Sequence, residues 1–217
     1  MSFFKFQNIS GSIIYTDDEQ KFIEQIPADY KKAWDGDLKD INIEDGKKIR
    51  DQLKLDIKER INEIQEPFCI YCGIHFDIVG ISEREHIAPK GHHPEYVFVN
   101  DNLALACHYC NGSSKKHTKD TILIKGDNYK DCEFSIIHPF YDKYEEEIEF
   151  SFKDADLVLS PKNGSSKGFV TIKMFELDGV RQTGLRGGAI LRDSMKQGVE
   201  AEVLIRQIRE NKYLPKK

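Results

Sequence analysis

Cys69-Ile70-Tyr71-Cys72 and Cys107-His108-Tyr109-Cys110 repeat one spacing, and thirty-four residues (73–106) lie between them. Paired Cys-x-x-Cys units in a chain with no secretory features point to a tetrahedral metal site with four thiolate ligands. Each pair bends as a knuckle that presents two sulfurs, and two knuckles complete the coordination. Zinc bound in this way contributes about 10–16 kcal/mol to the folding of small modules. The competing reading is a set of four buried free thiols. A closed site of four cysteines leaves no position for water, so the ion expected here, Zn²⁺, is structural and not the catalyst. The fifth cysteine, Cys132, stands apart and is expected only to pack.

Around this pair lies an ordinary globular chain. Its 217 residues correspond to one or two domains, enough to bury a core without disulfides. No apolar run approaches the roughly 18 residues of a membrane span. The start, Met1-Ser2-Phe3-Phe4-Lys5-Phe6-Gln7, lacks the basic and long apolar regions of a signal peptide. A soluble, cytosolic protein with no membrane partner is expected. Charge is uneven. Residues 16–66 carry a net −5 and residues 142–154 a net −4, whereas 84–130 carry +2 and 162–217 carry +6.

The acidic front reads as helical. Thr16-Asp17-Asp18-Glu19 has the form of a capping box ahead of Phe22, Ile23 and Ile26. Ile49, Leu53, Ile57, Ile61 and Ile64 give a second helix its apolar stripe, and Pro67 marks its far boundary. Beyond the cysteines, Thr121–Ile124, Phe134–Ile137 and Phe169–Ile172 read as short strands. Residues 161–168 read as a loop and Ser194–Asn211 as a closing helix. The fold class expected is α+β, with a helical region at 1–66, a module at 67–130 and a C-terminal extension at 131–217 packed on it.

The gap between the cysteine pairs is longer than in simple zinc modules and holds Glu85-His86-Ile87-Ala88-Pro89-Lys90 and Asn102-Leu103-Ala104-Leu105. Asn111 follows the second pair directly, and Lys115, Lys116 and His117 come soon after. This string resembles the zinc-stabilised HNH endonucleases, whose active site is a ββα-metal fold. His86 matches the first His of that name, Asn102 the Asn, and Asn111 replaces the final His. Glu85 stands where the family usually has Asp. Farther on, His138-Pro139-Phe140-Tyr141-Asp142 and Glu145–Phe150 resemble the segment that follows the nuclease motif in the Septu and retron-associated nucleases of bacterial anti-phage systems. Thr171–Asp178 and Arg186 fit that pattern loosely, and nothing in residues 1–66 resembles a family.

The resemblance implies cleavage of DNA, with His86 activating water and a Mg²⁺ or Mn²⁺ ion polarising the phosphate. Glu85 and Asn111 would hold that ion through oxygen, which suits a hard cation. Asn102 would fix the loop behind His86 by hydrogen bonds. Lys90, Lys115 and Lys116 are candidates for phosphate contact, Lys115 on one helical face with Asn111 if 108–117 is helical. Glu85 and His86 are neighbours on a strand and leave it in opposite directions, so sharing a site needs a distorted strand or its end. His92, His93, His108 and His117 are alternative ligands, though each reads more simply as a surface histidine. The resemblance also implies an ATPase or other defence-system partner, since a net charge of −5 suits a freestanding DNA binder poorly. Arg181, Arg186, Arg192, Arg206 and Arg209 are the alternative source of a basic patch. The competing functions are a non-catalytic zinc module that binds nucleic acid or protein, and an RNase with the same residues.

Overall fold

The computed structural model describes residues 2–112, 115–116, 119–153 and 156–196. Helix α1 (Asp17–Glu24) opens on the expected capping box: Thr16 Oγ1 accepts from Glu19 N at 3.3 Å, and Glu19 Oε2 accepts from Thr16 N at 2.7 Å. Helix α2 (Gly46–Ile64) buries Leu53, Ile57 and Ile61 at four-residue spacing, while Ile49 at the start of the stripe is exposed. These side chains pack with Phe22, Trp34 and Leu38 into one apolar cluster, which Val97, Leu103 and Leu105 join from the next region.

The centre of the molecule is an antiparallel hairpin of β1 (Ser82–His86) and β2 (Leu103–Cys107), in register from Ser82↔Cys107 to His86↔Leu103. Every residue of β2 is buried. Leu103 and Leu105 face the N-terminal cluster, and Ala104 and Ala106 face a second one that contains the four cysteines and the C-terminal elements. Alternation along a strand thus sends large residues to one core and small ones to the other. A second short helix, α3 (Phe76–Val79), links the first cysteine pair to β1. A single helical turn, α4 (His108–Asn111), follows β2 directly.

The free edge of β2 is covered by a side chain. Gln65 is buried; its Nε2 donates to Leu105 O (2.8 Å) and Phe68 O (2.9 Å), and its Oε1 accepts from Leu105 N (2.8 Å). The carboxamide therefore reproduces the bonds that one residue of a third strand would make.

C-terminal to the hairpin come β3 (Ile122–Ile124) with β4 (Glu133–Phe134), then α5 (Tyr144–Glu147), the hairpin β5 (Ile148–Lys153) and β6 (Asp156–Pro161), α6 (Ser166–Met174) and α7 (Val180–Lys196). Four expectations are corrected here. The strand at 134–137 shrinks to Glu133–Phe134. Phe169–Ile172 is helical, and the loop at 161–168 ends early because Ser165 caps α6 by accepting from Gly168 N at 2.8 Å. Burial of Thr171 and Ile172 on one helical face overrides the β preference of the Val-Thr-Ile run. Gly168 permits this packing, since a Cβ there would collide with the Glu147 carbonyl oxygen. The closing helix begins at Val180 rather than Ser194, and the part expected beyond residue 196 lies outside the described residues. Among the described residues, no helix is long and apolar enough to cross a membrane.

Gln65→Leu leaves the buried Leu105 N–H without a partner, at a cost of about 1–3 kcal/mol, while Leu105 O keeps the Ile70 N–H and Phe68 O keeps Gln7 Nε2. Thermal unfolding of this variant is expected roughly 2–10 °C below that of the parent chain, with no change in the cysteine site.

Candidate metal centre and active site

The first knuckle closes because Gly73 adopts φ +69° and donates its N–H to Cys69 O at 2.9 Å. A side chain at Gly73 would also press on the Lys5 carbonyl 2.9 Å away. The second knuckle forms where β2 runs into α4. Cys69, Cys72, Cys107 and Cys110 are all buried, and their sulfurs lie within 4.8 Å of one another. A Zn–S bond of about 2.3 Å in a tetrahedron sets neighbouring sulfurs about 3.8 Å apart, and Cys72 Sγ to Cys107 Sγ is 4.0 Å. Burial pushes the Cys72 thiol up, whereas hydrogen bonds from Cys110 and Cys69 pull Cys107 down. Ionising all four sulfurs in this dry pocket needs a cation among them, and the donor set fits one.

His86 is the last residue of β1, and its imidazole leaves the strand on the side of the N-terminal cluster. Trp34 meets the ring edge-on at 4.5 Å, and Val97 O lies 3.2 Å from Nε2. A carbonyl can only accept, so Nε2 carries the proton and, in the neutral ring, the lone pair is on Nδ1. Burial first, then Lys90 and Lys116, push the His86 pKa down to about 3, which keeps the ring neutral.

The backbone after His86 is tied at each step. Lys116 Nζ donates to His86 O, and Thr121 Oγ1 to Ile87 O at 2.7 Å. Asn102, fully buried, accepts from Ala88 N at 2.6 Å and donates to Ala88 O (3.3 Å) and Tyr96 O (2.8 Å).

Glu85 points to the opposite face of β1, where Tyr71 Oη donates to Oε1 at 2.9 Å and Lys116 Nζ pairs with it at 2.5 Å. Both members of that ion pair are buried, so removing either one alone costs about 3–5 kcal/mol. Asn111 does not bond to Glu85. Its Nδ2 donates to Glu83 Oε2 at 2.9 Å, and His108 Nδ1 lies 2.7 Å from Glu83 Oε1. Glu83 and Glu85 share one face of the strand two residues apart, with Asn111 over Glu83. Sequence reasoning passes over Glu83; the signal for it is the alternation Glu83-Arg84-Glu85, which places both carboxylates on one side.

Each lysine considered for phosphate contact has an acidic partner: Lys90 pairs with Asp35 at 2.7 Å, Lys115 with Glu176, and Lys116 with Glu85. The one-face relation of Lys115 to Asn111 does not hold, since α4 ends at Asn111. His92 and His93 lie in the loop after Pro89, where His93 Nε2 is 2.8 Å from Asp120, and Cys132 packs beside Tyr96. Arg186 is fully buried rather than part of a surface patch. His117, Arg206 and Arg209 lie outside the described residues.

Residues 69–119 match the family model for HNH endonucleases. The matched segment, an HNH endonuclease domain by this model, spans both cysteine pairs, His86, Asn102 and Asn111, and suggests nuclease activity. No curated protein matches the chain.

Two outcomes follow for this region. Cys72→Ser is expected to lose the bound ion and to unfold well below the parent chain, as read by metal analysis and melting. His138, buried and neutral, has its pKa pushed down to about 3 from 6.5 by burial and then by Lys167. The unfolded chain takes up that proton first, so stability is full above about pH 6.5 and falls as the pH drops toward 3. His138→Gln should flatten part of this slope in urea titrations at successive pH values.

Proposed function

We propose that the protein is a metal-dependent endonuclease that hydrolyses DNA phosphodiester bonds at His86, with Zn²⁺ held by Cys69, Cys72, Cys107 and Cys110 as a structural ion. The observation that carries this reading is the bond from His86 Nε2–H to the Val97 carbonyl, inside the segment that matches the HNH endonuclease model. It leaves Nδ1 as the nitrogen that takes a proton from the attacking water. Asn102 holds the chain behind His86 so that this nitrogen keeps its place. Glu85 and Asn111, joined by Glu83, supply carboxylate and amide oxygens for Mg²⁺ or Mn²⁺. When bound, such an ion polarises the phosphate and stabilises the leaving oxygen. Four thiolates in a buried tetrahedron favour zinc among the abundant divalent ions.

The wider role we assign is that of an effector in bacterial anti-phage defence, working with an ATPase or similar partner. Support comes from the resemblance of residues 138–150, and more loosely of Thr171–Asp178 and Arg186, to the Septu and retron-associated nucleases. The ion pairs of Lys90, Lys115 and Lys116 support it too, because phosphate affinity then falls to a partner or to a rearranged site.

The test is cleavage of supercoiled plasmid with Mg²⁺ or Mn²⁺, comparing the parent chain with His86→Ala at equal zinc content. Loss of a general base lowers rates by about 10²- to 10⁴-fold, so the variant is expected to leave the plasmid intact. Equal cleavage by both proteins overturns the assignment, and cleavage of an RNA strand in preference replaces the substrate.

A further inference from the structure

Tyr129 and His138 lie beyond the segment that matches the nuclease model, yet both are buried and joined by hydrogen bonds to the amide that holds the loop after His86. Tyr129 Oη is 2.9 Å from Asn102 Oδ1 and 3.0 Å from His138 Nε2, and Phe140 N donates to His138 Nδ1 at 3.3 Å.

Backbone groups at both ends set the direction of every proton in this chain. Asn102 donates to two carbonyls and accepts from Ala88 N–H, so its oxygen is the atom facing Tyr129. An amide oxygen only accepts, hence the single Tyr129 hydroxyl proton points at Asn102. His138 Nε2 must then donate to the Tyr129 oxygen. From the other end, the Phe140 N–H requires a bare Nδ1, which again puts the His138 proton on Nε2. The order Phe140 N–H → His138 → Tyr129 → Asn102 is self-consistent and admits one arrangement.

Asn102 bonds to Ala88 and Tyr96, the two banks of the loop that starts after His86 and ends at Val97. Rotation of its amide by half a turn would set donor against donor at Ala88 N and acceptor against acceptor at Ala88 O. The loop would then open at the carbonyl that fixes the His86 proton.

We infer that Tyr129 and His138 are positioning residues of the nuclease site, which hold the Asn102 amide in the one orientation that keeps the Val97 carbonyl on His86 Nε2. Through the His-Pro-Phe-Tyr-Asp segment (138–142), the C-terminal extension thereby completes the site from behind. The inference rests on His86 being the base, but its test does not depend on activity.

The test uses the full zinc-loaded chain and its variants Tyr129→Phe, His138→Gln and His138→Leu, each checked for metal content and melting. Long-range ¹H–¹⁵N spectra of the imidazoles report which His86 nitrogen carries the proton. The parent chain is expected to show the proton on Nε2. Tyr129→Phe and His138→Leu should show a mixture of the two forms, with kcat on plasmid lowered roughly 10- to 100-fold at unchanged KM. His138→Gln keeps an N–H donor and should restore the parent spectrum and rate. A folded Tyr129→Phe with the parent His86 spectrum overturns the inference. Should that variant not fold, identical His86 spectra for the Gln and Leu variants overturn it instead. Full activity in His86→Ala would defeat the nuclease assignment alone, since the spectra still decide whether Tyr129 and His138 orient the ring.

Discussion

The burial of β2 on both faces is the constraint from which the rest of the arrangement follows. A two-stranded hairpin alone is at best marginally stable in water. Here Leu103 and Leu105 are drawn into the N-terminal helical cluster, and Ala104 and Ala106 into the cysteine cluster. Its free edge is closed by Gln65 from the end of α2. The register with β1 then places His86 and Glu85 at one end and Glu83 opposite Ala106, beside α4. Small alanines on one side leave room for the carboxylates of β1 and the helical turn. Neither the N-terminal helices nor the C-terminal elements are ornaments on a nuclease module; each supplies one wall of the strand that carries it.

Much of this is legible in the chain because its signals are local. The Cys-x-x-Cys repeat, the capping box at Thr16 and the four-residue stripe of α2 each depend on spacing over a few residues. What the sequence does not show depends on tertiary contact. Gln65 reads as one more polar residue at a helix end, and only the path of β2 reveals what its amide does. Phe169–Ile172 has the composition of a strand, but Ser165 and the close approach at Gly168 commit it to a helix. Asn111 is legible as a candidate, whereas its partner Glu83 is hidden by attention to the residue beside His86. Tyr129 and His138 are separated from Asn102 by 27 and 36 positions, and no periodicity links them to it.

The electrostatics are inward-looking. Lys116 bridges Glu85 and the His86 carbonyl, Lys115 is held by Glu176 over the Tyr109 ring, and Lys90 is held by Asp35 next to Trp34. Charges committed to internal partners organise the site rather than attract a polyanion from a distance. Ion pairing across segments also ties the helical region at 1–66 to the loop after His86, through Asp35 and Lys90.

Trp34 has a further consequence. It is the chain's single tryptophan, and its indole touches the His86 imidazole at 4.5 Å while Lys54 lies 5.0 Å from its centroid. Nearly all of the red-edge ultraviolet emission of this protein therefore originates beside one histidine. The unlabelled molecule carries its own optical gauge of that pocket: any event that dries, wets, charges or uncovers the imidazole alters the colour and brightness of the native fluorescence.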